Sequence, residues 1–175
     1  MQVSLKQVPA TDVAYLRHIG PYGAAVGAFW KSTFIPWLHA NGLTGRAQYG
    51  IGHDDPSVTA ADKCRYDTCV EVPAGFVARE PAGRHTLPGG RYAVASFEGT
   101  PASIGAAWTE LFRTWLPASG LRIDARPCFE YYPIDALRPQ DRHLLLRVVP
   151  AGGATVGRSA TLRTQRRSAA RSPSR

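Results

Sequence analysis

Residues 27–43, GAFWKSTFIPWLHANGL, and residues 105–121, GAAWTELFRTWLPASGL, decide the fold, because they read as one helix written twice. At an offset of 78, Gly27, Trp30, Phe34, Trp37, Leu38, Gly42 and Leu43 fall on Gly105, Trp108, Phe112, Trp115, Leu116, Gly120 and Leu121. Seven identities in one register, three of them aromatic, point to an internal duplication. The period is too long for a solenoid repeat, so two copies predict one domain with pseudo-twofold symmetry.

The likeness runs outward on both sides. Val8-Pro9 matches Leu87-Pro88, and DVAYLRHIG (12–20) lies over RYAVASFEG (91–99), both at an offset of 79. Each copy therefore predicts an extended run (3–8; about 76–87), a second strand (12–19; 91–98) and then the helix. Gly20-Pro21 and Thr100-Pro101 place a proline where a helix tolerates it best, at its first position. Apolar residues at helical spacing give each helix a docking face, with Phe34, Trp37, Phe112 and Trp115 read as core. Gly42 and Gly120 read as left-handed stops. Pro36 sits late in the first helix, where the second has Thr114, and predicts a kink or a frayed last turn. Strands over 48–55 and 63–72 close the first copy, and 127–133 supplies the matching strand of the second. The fold class is α+β: duplicated strand–helix–strand–strand units forming a mainly antiparallel sheet with two helices and a central cleft. The domain spans 1–150, with copies at about 1–75 and 76–150.

The 175 residues suffice for a real core, and no apolar run is long enough to span a bilayer. The N-terminus lacks a secretory layout, and Cys64, Cys69 and Cys128 are odd in number without a C-x-x-C, which together read as reduced thiols in a cytoplasmic protein. The net charge of +8 would ordinarily signal a nucleic-acid partner. Residues 1–141, however, carry 13 basic and 13 acidic side chains, and the excess is eight arginines beyond Asp141. The folded part is neutral, so no direct DNA binding and no membrane partner is expected of it. His18, His39, His53, His85 and His143 show no ligand spacing, and HDD at 53–55 reads as a turn; no cofactor or metal is implied.

Where two copies match, the positions that differ carry information. Gly52 aligns with Glu130 and Asp54 with Tyr132, while Ile51 and His53 align with Phe129 and Tyr131. Alternation along a strand puts Glu130 and Tyr132 on one face and sends Phe129 to the core on the other. Glu130 is then a lone carboxylate among aromatic residues beside the groove a duplication would create. Such a site suits organic cations or polar aromatic molecules.

Several stretches fall in order: H-x-GPY at 18–22, YGIGHDDPSVT (49–59), K-x-RYDTCVEV (63–72), LPGGRYAVASFEG (87–99) and CFEYYP (128–133). Over roughly residues 1–135 the chain resembles the GyrI-like small-molecule-binding domain, the effector-binding module of AraC-type and multidrug-responsive regulators, also found alone as a gyrase inhibitor. The resemblance implies a stand-alone ligand-binding domain whose central cleft acid is Glu130, with Tyr132, Trp108 and Tyr22 as aromatic walls. It implies as partners a small cationic or aromatic organic molecule, and DNA gyrase or a separate regulator chain. It also leaves an enzymatic alternative, a hydrolase of reactive electrophiles in which Glu130 would act with water.

The end of the chain departs from the repeat. ALRPQDRHLLLRVVP stands where a strand like RYDTCVEVP should be, and its LLLRVV can still pair. Loss of that terminal strand would leave an open sheet edge. With GC-rich codons, residues 136–156 read one base later can encode RFDPRTATFSCELCLPVAPL and a stop, which restores the expected strand; sequencing the locus tests that frame shift. Residues 151–175 are Arg/Ser-rich without an apolar period and are expected to be disordered.

Overall fold

The computed structural model describes residues 1–99, 103–124, 126–134 and 142–150. Nine strands appear among them: β1 (Val3–Val8), β2 (Thr11–Ile19), β3 (Gln48–Gly52), β4 (Arg65–Glu71), β5 (Gly83–Leu87), β6 (Gly90–Phe97), β7 (Leu121–Ile123), β8 (Phe129–Tyr132) and β9 (Arg142–Pro150). All pair antiparallel, in the order β1-β6-β9-β8-β3-β4-β2-β5, with β7 added to β9. The fold is α+β, a curled antiparallel sheet with two helices.

Helix α1 (24–40) consists of α-helical Ala24–Phe29, a π-helical turn Trp30–Phe34 and α-helical Ile35–Ala40. Helix α2 (104–118) repeats the plan, with Ile104–Glu110, a π turn Leu111–Trp115 and Leu116–Ala118. The π turns explain what becomes of the prolines. Pro36 and Pro117 each follow the last residue of a π turn by two positions. A wider turn relieves both proline problems, the missing N–H and the clash with the preceding turn. The bend or frayed end expected at Pro36 is thus replaced by a π turn ahead of it.

Because Pro117 does not align with Pro36 in the repeat, the two π turns do not align either. A π turn holds one extra residue and rotates everything beyond it relative to an α-helix. Trp30, which opens its π turn, and Trp108, which precedes its own, are both half-buried, as are Trp37 and Trp115. Between them the helices fall out of phase: Phe34 is fully buried, whereas Phe112 is 36 % exposed and Leu111 occupies the core instead. The reading of Phe112 as core is corrected accordingly. The start of α1 is also later than Pro21: its cap is Gly23, at φ 81°. Gly42 and Gly120, both at φ 66°, stop the two helices as left-handed residues.

The helix-facing side of the sheet buries two clusters. Ala14, Leu16, Phe34, Leu38 and Val70 pack under α1, and Ala93, Ala95, Leu111, Leu144 and Leu146 under α2. The opposite, helix-free side closes on itself over Val13, Tyr49, Ile51, Leu87, Tyr92, Phe129 and Leu145. Curling is what permits this: β1 and β5 stand at opposite ends of the strand order, yet Val8 and Leu87 line one cavity. Strand β9 lies inside the sheet, between β6 and β8, so LLLRVV occupies the place of the terminal strand and no edge is open there. Residues 151–175 lie outside the described residues. Among those described, no helix is long and apolar enough to cross a membrane, and Cys64, Cys69 and Cys128 are free thiols.

Candidate functional site

The interval between the two helix-facing clusters is floored by β3 and β8, where Gly50 pairs with Glu130. The sequence YGIG (49–52) alternates aromatic or aliphatic residues with glycine, so Tyr49 and Ile51 fill the helix-free core while Gly50 and Gly52 bring no side chain to the helix side. Larger groups from neighbouring strands take that space. A Cβ on Gly50 would collide with the Tyr66 hydroxyl and lie 2.7 Å from Glu130 Oε2. One on Gly52 would touch the Tyr22 hydroxyl at 3.5 Å and its ring at 3.6 Å.

Glu130 is 8 % exposed. Its Oε2 accepts hydrogen bonds from the Tyr66 and Tyr132 hydroxyls, each at 2.6 Å, and its Oε1 accepts one from the Trp108 indole at 3.3 Å. Short O–H···O⁻ bonds of this kind are charge-assisted, and they make it tolerable to keep a carboxylate away from water. Burial, with the Glu130 charge beside it, pushes the Tyr66 phenol well above its ordinary pKa, so it remains a donor. The Trp30 side chain lies beside Tyr66, and its ring meets Tyr132 edge-on at 5.3 Å. Trp30 from α1 and Trp108 from α2 thus reach the same carboxylate network from opposite sides, and they occupy equivalent positions in the sequence repeat.

Of the residues expected at the site, Glu130, Tyr132 and Trp108 come together directly. Tyr22 stands one layer behind. Its ring lies edge-on to Tyr66 at 6.0 Å, and its hydroxyl is tied to the backbone, donating to the Arg65 carbonyl (2.8 Å) and facing the Asp54 carbonyl and N–H (3.1 Å each). The alignment of Glu130 with Gly52 missed Tyr66, Trp30 and Gly50. The glycine alternation in YGIG was the signal for Gly50, and the repeat equivalence of Trp108 was the signal for Trp30. Tyr66 has no such mark, because only strand pairing brings β4 beside β3.

The HDD stretch disperses into three separate contacts. His53 Nε2 meets Asp67 Oδ2 at 2.6 Å, Asp54 forms a two-pronged pair with Arg65, and Asp55 accepts from the Ser57 N–H and hydroxyl. Those hydrogen bonds from Arg65 hold the Asp54 carboxyl down at about 2. On the helix-free side Asp67 is buried and bound by Arg17 through two hydrogen bonds of 2.7 and 2.8 Å. Burial alone would raise the Asp67 carboxyl, but the hydrogen bonds from Arg17 and His53 outweigh it and keep it below the ordinary value.

Known proteins arrange themselves around this geometry. The putative transcriptional regulator YosT of Bacillus subtilis, from the SPbeta prophage, is 30 % identical over 151 residues, which is 86 % of this chain and 99 % of YosT. A DNA gyrase inhibitor of Cronobacter sakazakii is 30 % identical over 141 residues, 79 % of this chain and 89 % of that protein. Among solved structures, the EcmrR C-terminal domain superposes with a TM-score of 0.68 at 17 % identity, covering 85 % of this chain and 98 % of that one. SAV2435 bound to tetraphenylphosphonium gives 0.57 at 16 % identity, with 85 % and 94 % covered. A profile of the GyrI-like small molecule binding domain matches residues 1–146, a span that takes in both helices, the Glu130 network and most of β9. With that span matched, and with the curled sheet and paired helices in place, the chain belongs to the GyrI-like small-molecule-binding domain family.

Proposed function

We propose that this domain captures lipophilic organic cations or planar aromatic molecules over Glu130, as the sensing part of a regulatory or drug-response system. The observation that carries the reading is the Glu130 network. A carboxylate held by phenol and indole donors keeps its negative charge inside an aromatic surround, a setting that attracts organic cations by Coulomb force and cation–π contact. In this reading Glu130 supplies the charge, Trp108 and Tyr132 the walls, and Tyr22 supports Tyr66 from behind. The shared fold of SAV2435, seen with tetraphenylphosphonium, supports a cationic ligand.

The site lies on the seam between the two halves of the sequence repeat. A duplicated origin, with copies at about 1–75 and 76–150, is supported by the strand order. Exchanging β1 with β5, β2 with β6, β3 with β8 and β4 with β9 leaves that order unchanged when read from the other end.

Titration with tetraphenylphosphonium, followed by tryptophan emission, tests the reading because Trp30 and Trp108 border the carboxylate. The wild type should saturate, and Glu130→Gln should bind at least about tenfold more weakly, or ~1.4 kcal/mol. Equal affinity in the two proteins overturns it. Relatives named as gyrase inhibitors favour a second reading, a module that engages gyrase itself. That reading predicts inhibition of supercoiling by wild type and Glu130→Gln alike.

A further inference from the structure

The helix-free side of the sheet holds a cavity of about 790 Å³ that the Glu130 network does not touch. Its walls include Tyr49, Leu87, Phe129, Tyr131, His143 and Glu71. Phe129 and Leu87 are almost fully buried and belong to the core of that side. Drug-sized pockets fall in this range of volume and share this mixture of apolar lining and few polar groups.

The opposite end of the same face explains why the hollow exists. There, Arg17, His53 and the buried Asp67 close the sheet with an ion cluster. In the sequence repeat those positions correspond to Ser96, Tyr131 and Leu145. The second half therefore places neither a carboxylate nor a guanidinium where the first half has Asp67 and Arg17. One end is sealed, and the other stays open.

Two features of the open end define a ligand. Tyr131 and His143 lie nearly parallel, 13° apart with ring centroids 6.1 Å from each other, and offer a flat aromatic wall. Glu71, half-buried on the same lining, is close enough that its charge helps to raise the Tyr49 and Tyr131 phenols, after burial in both cases; Tyr49 is pushed up to about 12. No Lys or Arg among the described residues pairs with Glu71 within 4.0 Å. The other carboxylate on the lining, Asp12, is already engaged by Arg84 at 2.7 Å and by Thr86. Lys6, also on the lining, is exposed, so water and salt screen its charge.

We propose that this mouth is a second binding site, taking a planar aromatic molecule that carries a cationic nitrogen, its rings on the Tyr131–His143 wall and its nitrogen toward Glu71. Proflavine, a planar tricyclic cation with strong fluorescence, is the probe, and anthracenecarboxylate is its anionic counterpart. Both are titrated into wild type, into Glu130→Gln, and into Glu130→Gln combined with Glu71→Gln or with Tyr131→Leu, with thermal melts confirming that each is folded. Wild type should bind proflavine saturably and bind anthracenecarboxylate more weakly. Glu71→Gln and Tyr131→Leu should each weaken, by about fivefold or more, the proflavine binding that remains in Glu130→Gln, where the helix-side carboxylate is gone. Glu71→Gln conserves shape at a half-buried position, so it remains decisive if Tyr131→Leu unfolds. Proflavine affinity unchanged by Glu71→Gln, or no saturable binding up to about 1 mM, overturns the proposal. Loss of proflavine in Glu130→Gln alone also overturns it, by placing the molecule on the helix side.

Discussion

At the scale of single residues, Gly50 and Asp67 are the two positions where small changes should be felt most. Gly50 has an ordinary strand conformation, so its constraint is purely steric: Tyr66 and Glu130 already occupy the volume of a Cβ. Gly50→Ala must displace both side chains and is expected to cost about 1–3 kcal/mol in urea denaturation. Its tetraphenylphosphonium titration should resemble that of Glu130→Gln, because the carboxylate moves. Asp67 is a buried charge held by Arg17 and by the His53 ring, and Asp67→Asn should cost about 3–5 kcal/mol at neutral pH. Its pH dependence has a definite sign. A carboxyl held below its unfolded value of 3.8 contributes stability above that pH and loses it as the pH falls through the lower, folded value. Denaturation curves from pH 7 down to about pH 2 should therefore show the gap between wild type and Asp67→Asn narrowing at the acid end.

At the scale of elements, the two helices show how a repeat in sequence can be broken in space. Phe34 and Phe112 are equivalent by alignment and differ in burial because each π turn sits two residues ahead of its own proline. Phe34→Ala is expected to destabilise by about 3–5 kcal/mol, the cost of an emptied core position. Phe112→Ala should cost no more than about 1 kcal/mol, since its ring lies at the surface, stacked on Trp108 at 5.6 Å. Equal losses, measured by chemical denaturation, would mean that α1 and α2 present the same face after all.

At the scale of the molecule, β9 decides whether the sheet is complete. It pairs with β6, β8 and β7, so a chain stopped after residue 141 would leave three strands without their partner. That truncation should show no cooperative thermal transition. A chain stopped after Pro150 should melt like the full protein while eluting from heparin at lower salt, since residues 151–175 carry six arginines and no acid. Grafting RFDPRTATFSCELCLPVAPL after Asp135 offers the same sheet a strand of the expected pattern, and a melt at or above that of the native chain would support a shifted frame at the locus.

The helical and strand runs, the left-handed glycines and the facing of Glu130 were legible in the chain itself, because each rests on local chemistry: helical spacing, strand alternation, a glycine at a positive φ. Neighbours from distant strands were not. Tyr66 reaches Glu130 only because β4 pairs with β3, and Trp30 joins them only because α1 packs across that pair. The open mouth beside Glu71 is likewise a product of sheet curl, which brings β1 and β5 to one cavity from opposite ends of the strand order. Periodicity records which face a residue occupies; which other face it meets depends on pairing and curvature that no short stretch of sequence contains.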